Sequence, residues 1–310
     1  MPNNKWTTTD IPDLSGKVFI VTGANAGLGF GASKELARKS AKVIMACRNM
    51  DKAHAALAEI KNEIPDASAE IMQLDLASLK SIHQFADRSK AKYDRLDVLL
   101  NNAGIMFGPY KKTEDGFEST FGVDHLGHFA LTGLLMDVLK GTPGSRVVNV
   151  TSFAHTSGEM DFADLMFEEG YEPGKAYPRA KLANILFTNE LQRRFESAGS
   201  DCISVSTNPG FVRTGWIRHM RERNRFQAFL IGIGLRILGQ SVEMGTLSLL
   251  RPAIDPLVKG GEYYSPDGRF GGYPVRAESS EASYSKEDAK KLWEVSEELT
   301  GVQYLFSPKL

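Results

Sequence analysis

Tyr177 and Lys181, in Tyr177-Pro178-Arg179-Ala180-Lys181, stand four residues apart, so on a helix their side chains share one face. A phenol with a reference pKa of ~10 is a poor base at neutral pH, and a neighbouring ammonium favours its phenolate. Such a pair can give a proton to a developing alkoxide or take one from an alcohol. Standing alone, the same spacing also describes a solvated helix face. A second candidate is Thr22-Gly23-Ala24-Asn25-Ala26-Gly27-Leu28-Gly29, between the apolar run Lys17–Thr22 and a helical pattern. Glycines there permit a tight turn and let backbone N–H groups approach a pyrophosphate at a helix N-terminus. The spacing is Gly-x3-Gly-x-Gly, not the commoner Gly-x-Gly-x2-Gly. An ordinary strand-to-helix turn is the alternative, but the flanking strand and helix favour nucleotide binding.

Short apolar runs alternate with amphipathic stretches along most of the chain. The expected strands are Lys17–Thr22, Lys42–Cys47, Ala69–Leu74, Asp97–Asn101, Arg146–Thr151, Cys202–Thr207 and Gly261–Tyr264. Helices are expected over Leu28–Ser40, Asp51–Glu63, Leu79–Lys92, Gly116–Leu139, Ala180–Ser197, Val242–Ala253 and Lys286–Leu299. This alternation gives βαβ units, hence an α/β fold with a mostly parallel sheet covered on both faces. The expectation is a single doubly wound Rossmann domain of about seven strands, with ligands outside the carboxyl ends of the strands. Residues 13–210 form the nucleotide-binding and catalytic core. The long connection 211–240 is read as a substrate cap, and 265–310 as a C-terminal loop and helix.

Composition narrows the function. Lys plus Arg total 37 against 38 for Asp plus Glu, a net charge of -1 that argues against a broad nucleic-acid footprint. The two cysteines, Cys47 and Cys202, suit a reducing compartment and exclude a disulfide scaffold. No secretory signal is visible, and no run of ~18 apolar residues occurs. A cytoplasmic enzyme is expected.

Further stretches join the first two in family order. Asn101-Asn102-Ala103-Gly104 follows the fourth strand, Ser152 the fifth, and Asn208-Pro209-Gly210 the sixth. With the glycine cluster and Tyr-x3-Lys, the chain over about residues 16–216 resembles the short-chain dehydrogenase/reductase family. That resemblance implies a Rossmann fold, a nicotinamide cofactor and carbonyl–alcohol redox activity. It implies that Tyr177 donates and accepts the proton, Lys181 shifts its pKa and contacts ribose, and Ser152 binds the substrate oxygen. It assigns cofactor contacts to Gly23, Asn25, Gly27, Leu28, Gly29, Asn102, Ala103, Gly104, Pro209, Gly210, Val212 and Thr214, with Asp75 and Leu76 on the adenine side.

Two departures from the family pattern carry information. The second strand ends Ala46-Cys47-Arg48-Asn49, with Cys47 where the family's ribose-binding acid would stand and Arg48 placed to pair with a 2′-phosphate. NADP(H) is therefore expected over NAD(H), with Arg48 and Asn49 as contacts. The family's fourth catalytic residue is an Asn that holds a water linking Lys to a proton relay. Here the stretch reads Asp124-His125-Leu126-Gly127-His128-Phe129, and the charge of Asp124 puts that relay in question. His125 and His128, at i and i+3, are read as packing or polar helix residues, and no metal is expected.

Within the family, Val43–Asn49, Gln73–Leu79 and Gly116–Leu131 look like the retinol dehydrogenase and WW-domain oxidoreductase group, and more weakly like light-dependent protochlorophyllide reductase. The latter carries a Cys two residues after its catalytic Lys, where this chain has Ala183. An apolar carbonyl or alcohol substrate is expected. The basic-then-apolar segment 218–240 fits a substrate lid, with peripheral membrane contact as a compatible alternative. The family forms dimers or tetramers through helices matching Gly116–Leu139 and Ala180–Ser197. The rival function is a nucleotide-binding sensor or scaffold with little turnover, supported by Asp124 alone.

Overall fold

The computed structural model describes residues 5–213 and 239–306. Eight strands form one sheet in the order β3-β2-β1-β4-β5-β6-β7-β8. In chain order they are β1 (Val18–Thr22), β2 (Lys42–Cys47), β3 (Ala69–Gln73), β4 (Val98–Asn101), β5 (Arg146–Val150), β6 (Ile203–Thr207), β7 (Tyr263–Pro266) and β8 (Pro274–Ala277). All pairings are parallel except β7 with β8. The eighth strand lies inside the Gly- and Pro-rich stretch expected as loop. As an edge strand it tolerates Pro274 at its first position, because the missing N–H costs no ladder bond there.

Side chains alternate across β1. Phe19 and Val21 enter one core with Leu36 of α1 (Gly27–Arg38) and Ile60 of α2 (Met50–Glu63). Val18 and Ile20 enter the other with Phe85 of α3 (Leu79–Lys92). A period of two over a sheet buried on both faces gives this result. Strand order reverses between β1 and β4, whose parallel register pairs Phe19 with Val98 and Val21 with Leu100. Their carboxyl ends therefore flank the crevice typical of a doubly wound sheet.

The helix expected over Gly116–Leu139 is broken into α4 (Ser119–Phe121), a π turn (Gly122–Leu126), α5 (Gly127–Leu134) and α6 (Met136–Gly141). In the π turn the Gly127 N–H reaches back to the Gly122 carbonyl, and Asp124 sits inside it. Helix α7 runs Pro173–Ser197, starting earlier than the expected Ala180, so Pro178 lies inside it, in the second turn. Gly174, whose carbonyl Pro178 leaves without a donor, is exposed and open to water. Then come α8 (Val242–Ile254) and α9 (Lys286–Thr300).

Helix α9 lies on α7 and α5. Its Trp293, 1% exposed, meets Phe129 at 5.2 Å and Phe187 at 5.8 Å between ring centroids. Trp293 thus ties the C-terminal helix to α5 and α7. Among the described residues no helix is long and apolar enough to cross a membrane. The cap expected over 211–240 falls largely on residues 214–238, outside the described residues.

Candidate active site

A cleft of about 1030 Å³ opens at the strand ends where the order reverses. Its floor follows β1: Gly23, Asn25, Gly27, Leu28 and Gly29 all line it. Gly23 has φ +67°, a conformation side chains disfavour. A Cβ on Gly29 would stand 2.5 Å from Asn102 Nδ2 and 2.6 Å from the Gly23 carbonyl oxygen. Backbone at this turn can be approached closely only because both residues lack side chains.

Thr22 fastens the opposite wall. Its Oγ1 accepts the N–H groups of Asn102 and Ala103, each at 2.9 Å, so the loop after β4 is pinned to the end of β1. His128 Nδ1 lies 3.1 Å from the Asp124 carbonyl, which only accepts, so that nitrogen carries the proton. Its Nε2, 3.0 Å from Thr22 Oγ1, is left to accept the hydroxyl. Burial pushes the His128 pKa down to about 4, so the ring stays neutral. His125 Nε2 is 2.9 Å from Ser296 Oγ on α9. Both histidines are thus polar packing residues. Thr22 and His128 as joint anchors of the loop after β4 were not foreseen, although Thr22 opens the glycine motif.

At the deep end, α7 presents Tyr177 and Lys181 and the π turn presents Asp124. Lys181 Nζ is 2.8 Å from Asp124 Oδ2, with the two side chains 5% and 0% exposed. Asp124 Oδ1 accepts the Ile105 N–H at 2.8 Å. Gly104 borders the pair: a Cβ there would lie 3.0 Å from Asp124 Oδ2 and 3.3 Å from Lys181 Nζ. Gly127 is demanded by packing, since a Cβ would come within 2.6 Å of the Leu76 carbonyl oxygen.

Burial raises the pKa of Asp124, while Lys181 and the Ile105 N–H oppose that rise. Burial works against the Lys181 ammonium, but Asp124 and Tyr177 outweigh it and hold its pKa above the usual value. Burial also raises Tyr177 above an ordinary phenol; Lys181 pulls it down, Asp124 pushes it up, and a hydrogen bond with Ser152 lowers it. Tyr177 is therefore protonated at neutral pH. Ser152 lies two residues beyond β5 and caps the 3-10 turn Phe153–Ser157. Gly158 lets that turn approach α7, because a Cβ there would stand 2.5 Å from the Pro178 carbonyl oxygen.

At the other end, Cys47 is 1% exposed in the core, and burial pushes its thiol up to about 11. No acid stands at that position. Arg48 is exposed and lines the cleft beside Lys52 and the carboxylate of Glu59. Asn49 also lines it, but its Oδ1 already caps α2 by accepting the Lys52 N–H at 2.9 Å. Of the other expected contacts, Asp75, Leu76, Asn102, Ala103, Gly104 and Pro209 also line the wall. Gly210 and Val212 do not line it. Gly210 turns the chain with φ +73°, and Val212 is buried in a bridge to Gln240. Thr214 lies outside the described residues.

A cleft at the switch point of a doubly wound sheet, with a glycine floor and a Tyr–Lys pair, defines a nucleotide-dependent oxidoreductase. The sequence matches the short chain dehydrogenase family over residues 17–225, and the chain belongs to that family. It is 40% identical over 295 residues to retinol dehydrogenase 13 of Homo sapiens, covering 94% of this chain and 86% of that protein. An uncharacterised protein from Mycobacterium paratuberculosis, 35% identical, superposes with a TM-score of 0.81 over 97% of this chain and 99% of that one. A short chain dehydrogenase from Shigella flexneri complexed with NADP shares the fold, with a TM-score of 0.63 at 21% identity over 82% and 98% of the two chains. The chain is thus an oxidoreductase of the alcohol–carbonyl class that uses a nicotinamide cofactor.

Proposed function

We propose that the protein is an NADP(H)-dependent enzyme interconverting an aldehyde or ketone with the corresponding alcohol on an apolar small molecule. The observation that carries the reading is the cleft itself, with Tyr177, Lys181 and Asp124 at one end and Arg48 at the other. The glycine floor fits a dinucleotide, since Gly23, Gly27 and Gly29 line the cleft where β1 turns into the N-terminus of α1. Arg48 would pair with a 2′-phosphate, and the buried Cys47 leaves no carboxylate for the ribose diol of NAD(H). The names of the retinol dehydrogenases support an apolar alcohol.

The bound nicotinamide supplies or accepts the hydride. Tyr177 O–H gives its proton to the alkoxide as it forms, and the Ser152 hydroxyl donates a hydrogen bond to the same oxygen. Lys181 stays an ammonium because Asp124 neutralises it, and it steadies the phenolate left behind. Burial of Tyr177, Lys181 and Asp124 keeps bulk water from the transferred proton. The chain acts as one unit in the cytoplasm.

The test is loss of NADPH absorbance against a panel of aldehydes, ketones and quinones, retinal among them. Wild type should turn over apolar members. Tyr177→Phe should lose at least ~100-fold in kcat and keep NADPH affinity, because it removes the transferable proton but little binding surface. Wild type that binds NADPH and reduces nothing would favour the sensor reading.

A further inference from the structure

His155 lies on the 3-10 turn that begins at the catalytic serine, yet no part of the chemistry above uses it. The side chain is buried, at 2% exposure. Its Nδ1 stands 2.7 Å from the Ser152 carbonyl oxygen, and its Nε2 accepts the Ser280 N–H at 3.1 Å. A carbonyl only accepts and a backbone N–H only donates, so the two contacts select one state: neutral imidazole with its proton on Nδ1. The ring packs edge-to-face with Tyr263 of β7, with centroids 5.5 Å apart.

The far end of this bridge is fixed as well. Ser280 opens a short turn, Glu281–Tyr284, and its carbonyl accepts the Ser283 N–H at 3.0 Å. The Ser283 carbonyl accepts Asn189 Nδ2 at 2.8 Å, and Asn189 sits on α7, three turns beyond Tyr177. A closed circuit results: Ser152, His155, Ser280, Ser283, Asn189, then α7 back to Tyr177. The serine and the tyrosine are held on separate elements, and this circuit ties those elements together through the C-terminal segment.

We propose that His155 is a positioning residue that clamps the Ser152 turn to the segment 279–284 and so sets the aim of the Ser152 hydroxyl relative to Tyr177. The proposal rests on the alcohol–carbonyl reading for its catalytic consequence, while the clamp itself is a matter of structure. A misplacement of about 1 Å can cost on the order of 100-fold in rate, which is why such a tether matters.

Ser280 permits a clean test. Its φ of -65° and ψ of 152° suit proline, and its hydroxyl has no hydrogen-bond partner. Ser280→Pro therefore deletes the N–H that His155 accepts and leaves the catalytic turn untouched. His155→Phe keeps a ring against Tyr263 and removes both hydrogen bonds. His155→Asn keeps a donor for the Ser152 carbonyl but cannot reach Ser280. Ser280→Pro and His155→Phe should lower kcat by ~10-fold or more with NADPH affinity within about 2-fold of wild type, and His155→Asn should fall between. Wild-type kcat in both Ser280→Pro and His155→Phe would make His155 a packing residue and overturn the proposal. Nitrogen-15 NMR of the imidazole reads the clamp without any substrate. Wild type should show Nδ1 protonated and Nε2 unprotonated, with the Nε2 signal displaced in Ser280→Pro. A protonated Nε2 at neutral pH overturns the clamp, whereas an intact NMR signature without carbonyl turnover would overturn only the reaction.

Discussion

Lys181 Nζ and Asp124 Oδ2 are 2.8 Å apart, and neither side chain reaches solvent to a useful extent. The ammonium lies 5.4 Å from the centre of the Tyr177 ring, so the same cation faces a carboxylate on one side and the phenol on the other. A lysine beside a tyrosine favours the phenolate, but here its charge is largely answered by Asp124. The remaining groups around Asp124 add little positive charge: His125 and His128 are neutral, and Glu118 is a further anion. The surroundings therefore keep the Tyr177 phenol protonated.

Asp124→Asn tests this directly. Removing the carboxylate leaves the phenolate as the nearest anion to Lys181, so the Tyr177 pKa should fall. Oxidation requires the phenolate, and its kcat should rise at a pH lower by roughly one unit. Reduction near neutral pH should change little. The three groups titrate together, so apparent pKa values are compared. An unchanged or higher-pH oxidative profile would show that Asp124 does not govern the phenol. Losing one member of a buried pair should also lower stability by about 3 kcal/mol, read as a shift in the urea midpoint.

For the cofactor, wild type should bind NADPH more tightly than NADH by ~1.5–3 kcal/mol, the scale of a charge-assisted hydrogen bond. Arg48→Ala should erase most of that gap while leaving NADH binding nearly unchanged. Titrating both cofactors by fluorescence checks it, and NADH binding as tight as NADPH in wild type would remove the basis for the assignment. Lys52, also on the cleft wall, is the residue to examine if Arg48→Ala keeps the preference.

Asp97 predicts acid sensitivity. Burial alone would raise its pKa, but Arg95, the Val18 N–H and Lys17 outweigh burial and hold it below the usual carboxylate range. A group depressed in the folded state stabilises above its unfolded pKa of about 3.9, and that contribution is lost as pH falls through the folded value. Asp97→Asn should therefore cost about 1–2 kcal/mol at pH 7 and progressively less as the pH falls below about 4. Urea unfolding of both proteins at pH 7 and pH 3 measures the difference. An equal gap at both values would mean that the charge contributes nothing.

Much of this was legible in sequence because period and spacing report backbone geometry. The seven expected strands all form, and Leu79–Lys92 is matched end to end. The eighth strand was hidden because Pro274 and the surrounding glycines signal turns and carry no information about an edge partner. The π turn at Gly122–Leu126 was equally hidden, since apolar periodicity across Gly116–Leu139 fits an unbroken helix. In the site, the Tyr–Lys pair and glycine floor follow from local spacing. The ion pair of Lys181 with Asp124 joins positions 57 residues apart, and His155 meets Ser280 across 125. Contacts of that range depend on packing, which one sequence does not display.

Trp293 offers the last test, because it shows whether α9 supports α5 and α7. Its ring is 1% exposed, lies 4.5 Å from the Tyr304 ring centre, and carries the Arg194 guanidinium of α7 at 4.1 Å. The same surface holds Phe129 on α5, the helix that follows Asp124, and Phe187 on α7, the helix that carries Tyr177. Trp293→Ala deletes a large buried ring that its rigid aromatic neighbours cannot refill, so stability should fall by about 3–5 kcal/mol. Urea unfolding followed by far-ultraviolet circular dichroism gives the value. Because the cavity loosens the apolar surface between α9 and the helices α5 and α7, the variant should self-associate more than wild type. Size-exclusion runs over a range of concentrations compare the two proteins. A cost below about 1 kcal/mol would mean that α9 rests loosely on these helices and that its aromatic contacts contribute little.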